Sequence, residues 1–198
     1  MIRLTPRLLI STATAFVGLG AQPTVQTALG MKAGQSAGPA YNAELPRSWD
    51  VPLIQHCGYW AHYDHRSEQS AWPLPARASA MELGRLGAER GVLREDAEAG
   101  DIFLQYGPRR KEFVHAGIVI AVTGKGRLSA TEPYVDLKTV EGDTDELGQP
   151  FGGAARYVNR RVWPGAGDRF LRWAELEDYE RNAARASFIY KKSAGRRG

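Results

Sequence analysis

One thiol, one isolated imidazole and a close pair of acids carry the chemistry this chain could perform. Cys57 is the sole cysteine, in the run Ile54-Gln55-His56-Cys57-Gly58-Tyr59-Trp60. His115 stands ahead of the apolar run Ala116-Gly117-Ile118-Val119-Ile120, and Glu141 and Asp143 flank Gly142 further on. A single thiol cannot close an internal disulfide, so its value lies in packing or in reactivity. Cysteine attacks a carbonyl as thiolate, which requires a lowered pKa or a base beside it. The base in turn needs a polar group on its far ring nitrogen. The order thiol, imidazole, acid supplies these three types, with Cys57 as nucleophile, His115 as base and Glu141 as the group that orients it. Each has a plainer reading: a small buried hydrophobe for Cys57, a satisfied core histidine for His115, and turn residues for the acids.

Those side chains need elements to hold them. Pro52 and the polar Gln55-His56 predict a helix that starts near Cys57 and runs to about His65, which would give the sulfur the donors and dipole of a helix amino terminus. Before it, residues 20 to 50 read as a long connection rich in glycine, alanine, threonine and proline. The amino terminus reads as a first helix burying Leu9, Ala13, Phe16 and Val17, in preference to an export signal. Ser79 and Glu82 stand at capping-box spacing and open another helix, which the glycines at 84, 87 and 91 weaken and end. Strands are expected at Ile102–Tyr106, at Ala116–Val122 behind His115, at Leu128–Glu132, at Leu137–Glu141 and at Ala155–Val162. A basic hairpin loop at 107–111 and a turn at Gly124-Lys125-Gly126 separate the first of these. Asp168–Ser187 reads as helical, with Phe170, Leu171, Trp173, Ala174 and Leu176 as its buried side. The class is α+β, with amino-terminal helices on a central antiparallel sheet and a helical tail.

Composition bounds the function. The 198 residues suffice for one substantial core, and the net charge of +4 favours polyanionic partners without choosing among them. No pattern of interleaved basic and aromatic residues marks a nucleic-acid groove, so nucleic acid is not an expected partner. No stretch is long and apolar enough to form a transmembrane helix. His56, His62, His65 and Asp64 lack any familiar ligand spacing, so neither a metal nor another cofactor is expected. Trp60 and Trp72 read as packing residues that could also line a substrate cleft. A monomer is the expected oligomeric state.

In layout the chain resembles the CHAP family, the cysteine, histidine-dependent amidohydrolases and peptidases of the papain-like superfamily. The resemblance rests on Cys57 with its following aromatics, Ala99-Gly100-Asp101-Ile102-Phe103, His115-Ala116-Gly117-Ile118-Val119, the acidic turn Val140-Glu141-Gly142-Asp143-Thr144, and Gly152-Gly153 followed by Val158-Asn159-Arg160-Arg161. It spans residues 8–163, leaving 1–7 as an extension and 164–198 as a basic helical tail. The resemblance implies a papain-like fold and a covalent thioester mechanism. Peptidoglycan is the implied substrate, cut as an amidase or as an endopeptidase, so the cell wall would be the site of action. It also assigns Cys57, His115 and Glu141 the roles above. Asp143 stands where the family commonly has asparagine, which would either put a further negative charge near the imidazole or leave Asp143 facing water. Two other classes fit the same residues: a different papain-like amide or ester hydrolase or acyltransferase, and a non-catalytic wall-binding module on the same scaffold.

Overall fold

Apolar and β-branched runs between residues 93 and 171 assemble, in the computed structural model of the chain, into one antiparallel sheet preceded by helices. The structure describes residues 6–15, 17, 50–64, 69–70, 72–74, 79–129, 132–144 and 154–176. All of the expected connection over residues 20–50 except Asp50, together with Phe16, His65, Gly152-Gly153 and the basic tail from 177, lies outside the described residues. Helices α1 (Pro6–Ala15), α2 (Asp50–Ala61) and α3 (Ala80–Glu89) come first, with a small pair β1 (Tyr63–Asp64) and β2 (Gln69–Ser70) between the last two. Then follow β3 (Leu93–Arg94), β4 (Ile102–Gly107), β5 (Glu112–Arg127), β6 (Pro133–Thr144), β7 (Ala154–Val162) and β8 (Arg169–Leu171). They lie side by side in the order β3-β8-β4-β5-β6-β7, every neighbouring pair antiparallel.

Strand alternation sorts the core onto two faces. Ile102, Leu104, Ala116, Ile118 and Val140 face the helices, where they meet Leu9 and Ala13 of α1, Val51, Leu53, Ile54 and Cys57 of α2, and Leu83 of α3. Phe103, Val119, Leu137, Val162 and Phe170 make a second, smaller cluster. The α+β class, with helices first and an antiparallel sheet after them, is as the sequence predicts.

The capping box is also as expected: the Glu82 N–H donates to Ser79 Oγ at 3.2 Å, and the Ser79 N–H donates to Glu82 Oε2 at 2.7 Å. Inside α3, however, Gly84 and Gly87 serve packing. A Cβ on Gly84 would lie 2.0 Å from the Phe113 ring, so the bare backbone is what lets β5 approach.

Three expectations about the strands are corrected. Gly124 and Gly126 do not turn the chain, because β5 continues to Arg127 and the cross-strand side chains of Asp136 and Tyr134 fill the space above both glycines. The chain reverses instead between Arg127 and Pro133, where the Leu128 N–H donates to the Glu132 C=O at 3.1 Å. Finally, the segment after Asp168 is a strand before it is anything else. Leu171 is buried in the helix-side cluster and Phe170 in the opposite one, and adjacent residues can reach opposite cores only from a strand covered on both faces. Since β8 lies between β3 and β4, the sheet extends past residue 163.

Candidate functional site

Helix α2 starts a full turn and more before the expected place. Asp50 is its first residue, and Pro52 falls in the first turn, where the missing N–H would have had no helical partner. Cys57 therefore stands seven residues in, about 10 Å down the helix axis, and the expectation of a thiol at the helix head is corrected. The side chain at the head is a carboxylate. Asp50 suits that end twice over, since its charge opposes the helix dipole and its Oδ1 accepts the Val51 N–H at 2.8 Å.

Asp50 reaches from the helix to the sheet. The first β5–β6 pair is Ile118 with Val140, and just ahead of it the Ala116 N–H donates to Asp50 Oδ2 at 2.8 Å. The neighbouring imidazole of His115 is wholly buried, and its Nδ1 lies 3.0 Å from the same Oδ2. That contact is off the line of an ideal hydrogen bond, yet it is short enough for the carboxylate to help raise the ring's pKa. On the far side of the ring, Nε2 lies in a hydrogen bond of 2.7 Å to Glu141 Oε2. Glu141 is fully buried in β6 and lies over Gly117, where a Cβ would come within 2.6 Å of its Cγ. Arg160, from β7, binds both oxygens of Glu141 through Nε and a terminal nitrogen, and Thr139 donates its hydroxyl to Oε1.

The result is a row of alternating charge, Asp50, His115, Glu141 and Arg160, with the first three buried and Arg160 half-buried at its end. Burial alone would push His115 down, but the Asp50 and Glu141 carboxylates more than reverse this, and its pKa rises to about 9. Burial likewise opposes ionisation of Glu141, yet hydrogen bonds and charge from His115 and Arg160 hold it below its ordinary range. At neutral pH the ring is an imidazolium with each nitrogen turned to a carboxylate. It has no lone pair with which to accept a proton.

Cys57 takes no part in this row. It is completely buried among the apolar residues that join α1, α2 and the sheet. Burial pushes its thiol up to about 12. Thiol reagents are expected to label the native protein slower than a free cysteine by on the order of a thousandfold, from the thiolate fraction alone. Kinetics with a chromogenic disulfide reagent at neutral pH, with and without denaturant, measure this. Fast native labelling that depends on His115 would return Cys57 to the chemistry.

Of the residues singled out from sequence, the structure brings His115 and Glu141 together and leaves Cys57 apart. Glu141 belongs to a strand continuing to Thr144, with irregular pairing beyond it, so the expected acidic turn is corrected. The side chains of Asp143 and Trp60 lie outside the described residues. Trp72 is half-buried: its indole N–H donates to Gln55 at 2.7 Å, and the ring stacks on His62 and tilts against Trp173. A Cβ at Gly58 would strike that indole at 2.1 Å, so Trp72 is a packing residue against α2. His56 is neutral, its pKa lowered to about 4 by burial. No group of acids, histidines or cysteine suited to a metal occurs among the described residues, and none of the described helices is long and apolar enough to cross a membrane.

Asp50 and Arg160 are the members that sequence reasoning missed. Asp50 was within reach, as an acid two residues before a proline at the start of an apolar run is a helix-start signal. Arg160 was not, because its partner is set by the β6–β7 register. Comparison with protein-family models, with curated proteins and with solved structures finds no match to this chain.

Proposed function

We propose that the chain is a non-catalytic binding module on a papain-like scaffold similar to that of the cysteine, histidine-dependent amidohydrolases, with peptidoglycan as its ligand. One observation carries the non-catalytic part: both nitrogens of the His115 ring face carboxylates. A cysteine hydrolase needs that imidazole to exchange a proton with sulfur. Here the one thiol is sealed about two turns down the helix with its proton held tightly. The likeness in layout supports the scaffold, with a helix ahead of adjacent antiparallel strands that carry the histidine and the glutamate. The net charge of +4 supports an anionic wall polymer as the ligand.

Incubation with purified peptidoglycan, followed by sedimentation and mass analysis of the supernatant, tests both halves. The protein is expected to sediment with the polymer, to be released by salt and to liberate no fragments. Fragments that vanish with Cys57→Ser would reinstate the cysteine hydrolase, and failure to sediment would remove the wall ligand.

A further inference from the structure

The geometry points to residue 50 as the nucleophile station of a dormant acyl-transfer site, occupied in this chain by a carboxylate instead of a thiol or hydroxyl. An activated nucleophile of that kind is served by a base within reach, a group on the base's far nitrogen, and donors that favour the nucleophile as an anion. All three surround the side chain of residue 50. His115 Nδ1 is 3.0 Å from Oδ2, Glu141 holds Nε2 at 2.7 Å, and the N–H groups of Val51 and Ala116 each donate to the carboxylate at 2.8 Å. These donors come from a helix start and a strand, elements that fix their direction without help from residue 50.

The contact between Nδ1 and Oδ2 adds a second sign. A carboxylate chosen only to bind an imidazolium would be expected to take a straight hydrogen bond, as Glu141 does on the other side. Asp50 instead aims its oxygens at two backbone donors and leaves Nδ1, in a fully buried ring, outside hydrogen-bond angles. That nitrogen is directed at the space around residue 50 while lacking the proton exchange such a placement would serve. Aspartate there turns a potential base into a fixed cation, and two neighbouring carboxylates keep it one.

This inference does not depend on the peptidoglycan ligand, and its test does not use one. The variant Asp50→Cys, made in a Cys57→Ala background so that one thiol remains, should transfer its proton. The S–H bond breaks, the proton goes to Nδ1 of His115, and the thiolate left behind accepts the N–H groups of Val51 and Ala116. Absorbance near 240 nm, titrated against pH, reads that thiolate without requiring any reagent to enter. It is expected to be present at pH 7 and to disappear only below about pH 5, in the range of thiols beside imidazolium. Adding His115→Ala is expected to move its appearance up to about pH 8.5 or higher, as for an ordinary thiol.

A thiol at position 50 that titrates as an ordinary cysteine with His115 in place would overturn the inference. Because a folding defect could hide the answer, Asp50→Asn gives a second measurement on a side chain of the same shape. Nitrogen NMR of the His115 ring is expected to show its pKa falling by a unit or more, and an unmoved pKa would also overturn the assignment.

Discussion

Glu141→Gln lowers the stability of the folded chain by about 3 kcal/mol or more, the expected cost of removing one partner from a buried pair. Glu141 is shared by His115 and Arg160, and three side chains donate to it or pair with it. Glutamine keeps the volume but leaves two cations facing a neutral amide, and its NH2 group turns a donor toward other donors. Urea denaturation measures the effect as a fall in the midpoint at constant slope. Combining the change with Arg160→Gln should cost less than the sum of the two single changes, since each removes the other's partner. A loss below about 0.5 kcal/mol would mean that Glu141 behaves as a surface residue, and the buried row would then be misdescribed.

The second large effect is on the pH dependence of folding. His115 binds its proton more tightly when folded, with a pKa of about 9 against an ordinary 6.5, so its contribution is fully present below pH 6.5. It shrinks as pH rises through 9 and is absent well above that. A difference of this size corresponds to about 3 kcal/mol. His56 works on the opposite side: its folded pKa of about 4 lies below the ordinary value, so stability is lost as pH falls from 6.5 towards 4. Together the two histidines place the stability maximum near pH 6.5. Urea midpoints followed from pH 6.5 to 9 are expected to fall steadily, and His115→Leu should flatten that slope. A wild-type curve level between pH 6.5 and 9 would contradict the charged state of the ring.

The sequence exposed whatever depends on local pattern. Ser79 and Glu82 announced the start of α3 because a capping box is written in two residues three apart. Ile102–Tyr106 and the apolar run after His115 read as strands for the same reason. What failed depended on partners distant in sequence. Gly124 and Gly126 look like a turn until Asp136 and Tyr134 are brought across from β6. Phe170 and Leu171 look like one face of a helix until a sheet buries them on opposite sides. The site shows the same division: His115 and Glu141 were legible by type and order, as was the likelihood that they meet. The place of Cys57 at a helix head was not legible, because residue type names a candidate while position along α2 decides which side chain reaches the imidazole. Moving the helix start to Asp50 places a carboxylate, and not a sulfur, at that point beside the imidazole.

The most direct test of the central claim is nitrogen NMR of the His115 ring in the intact protein, titrated from pH 6 to 10. Protons on both ring nitrogens at pH 7.5, with a midpoint near pH 9, are the predicted result. A neutral ring at pH 7.5, titrating at or below 6.5, would contradict it, because His115 would then be free to serve as a base and the row of alternating charge would be misdescribed.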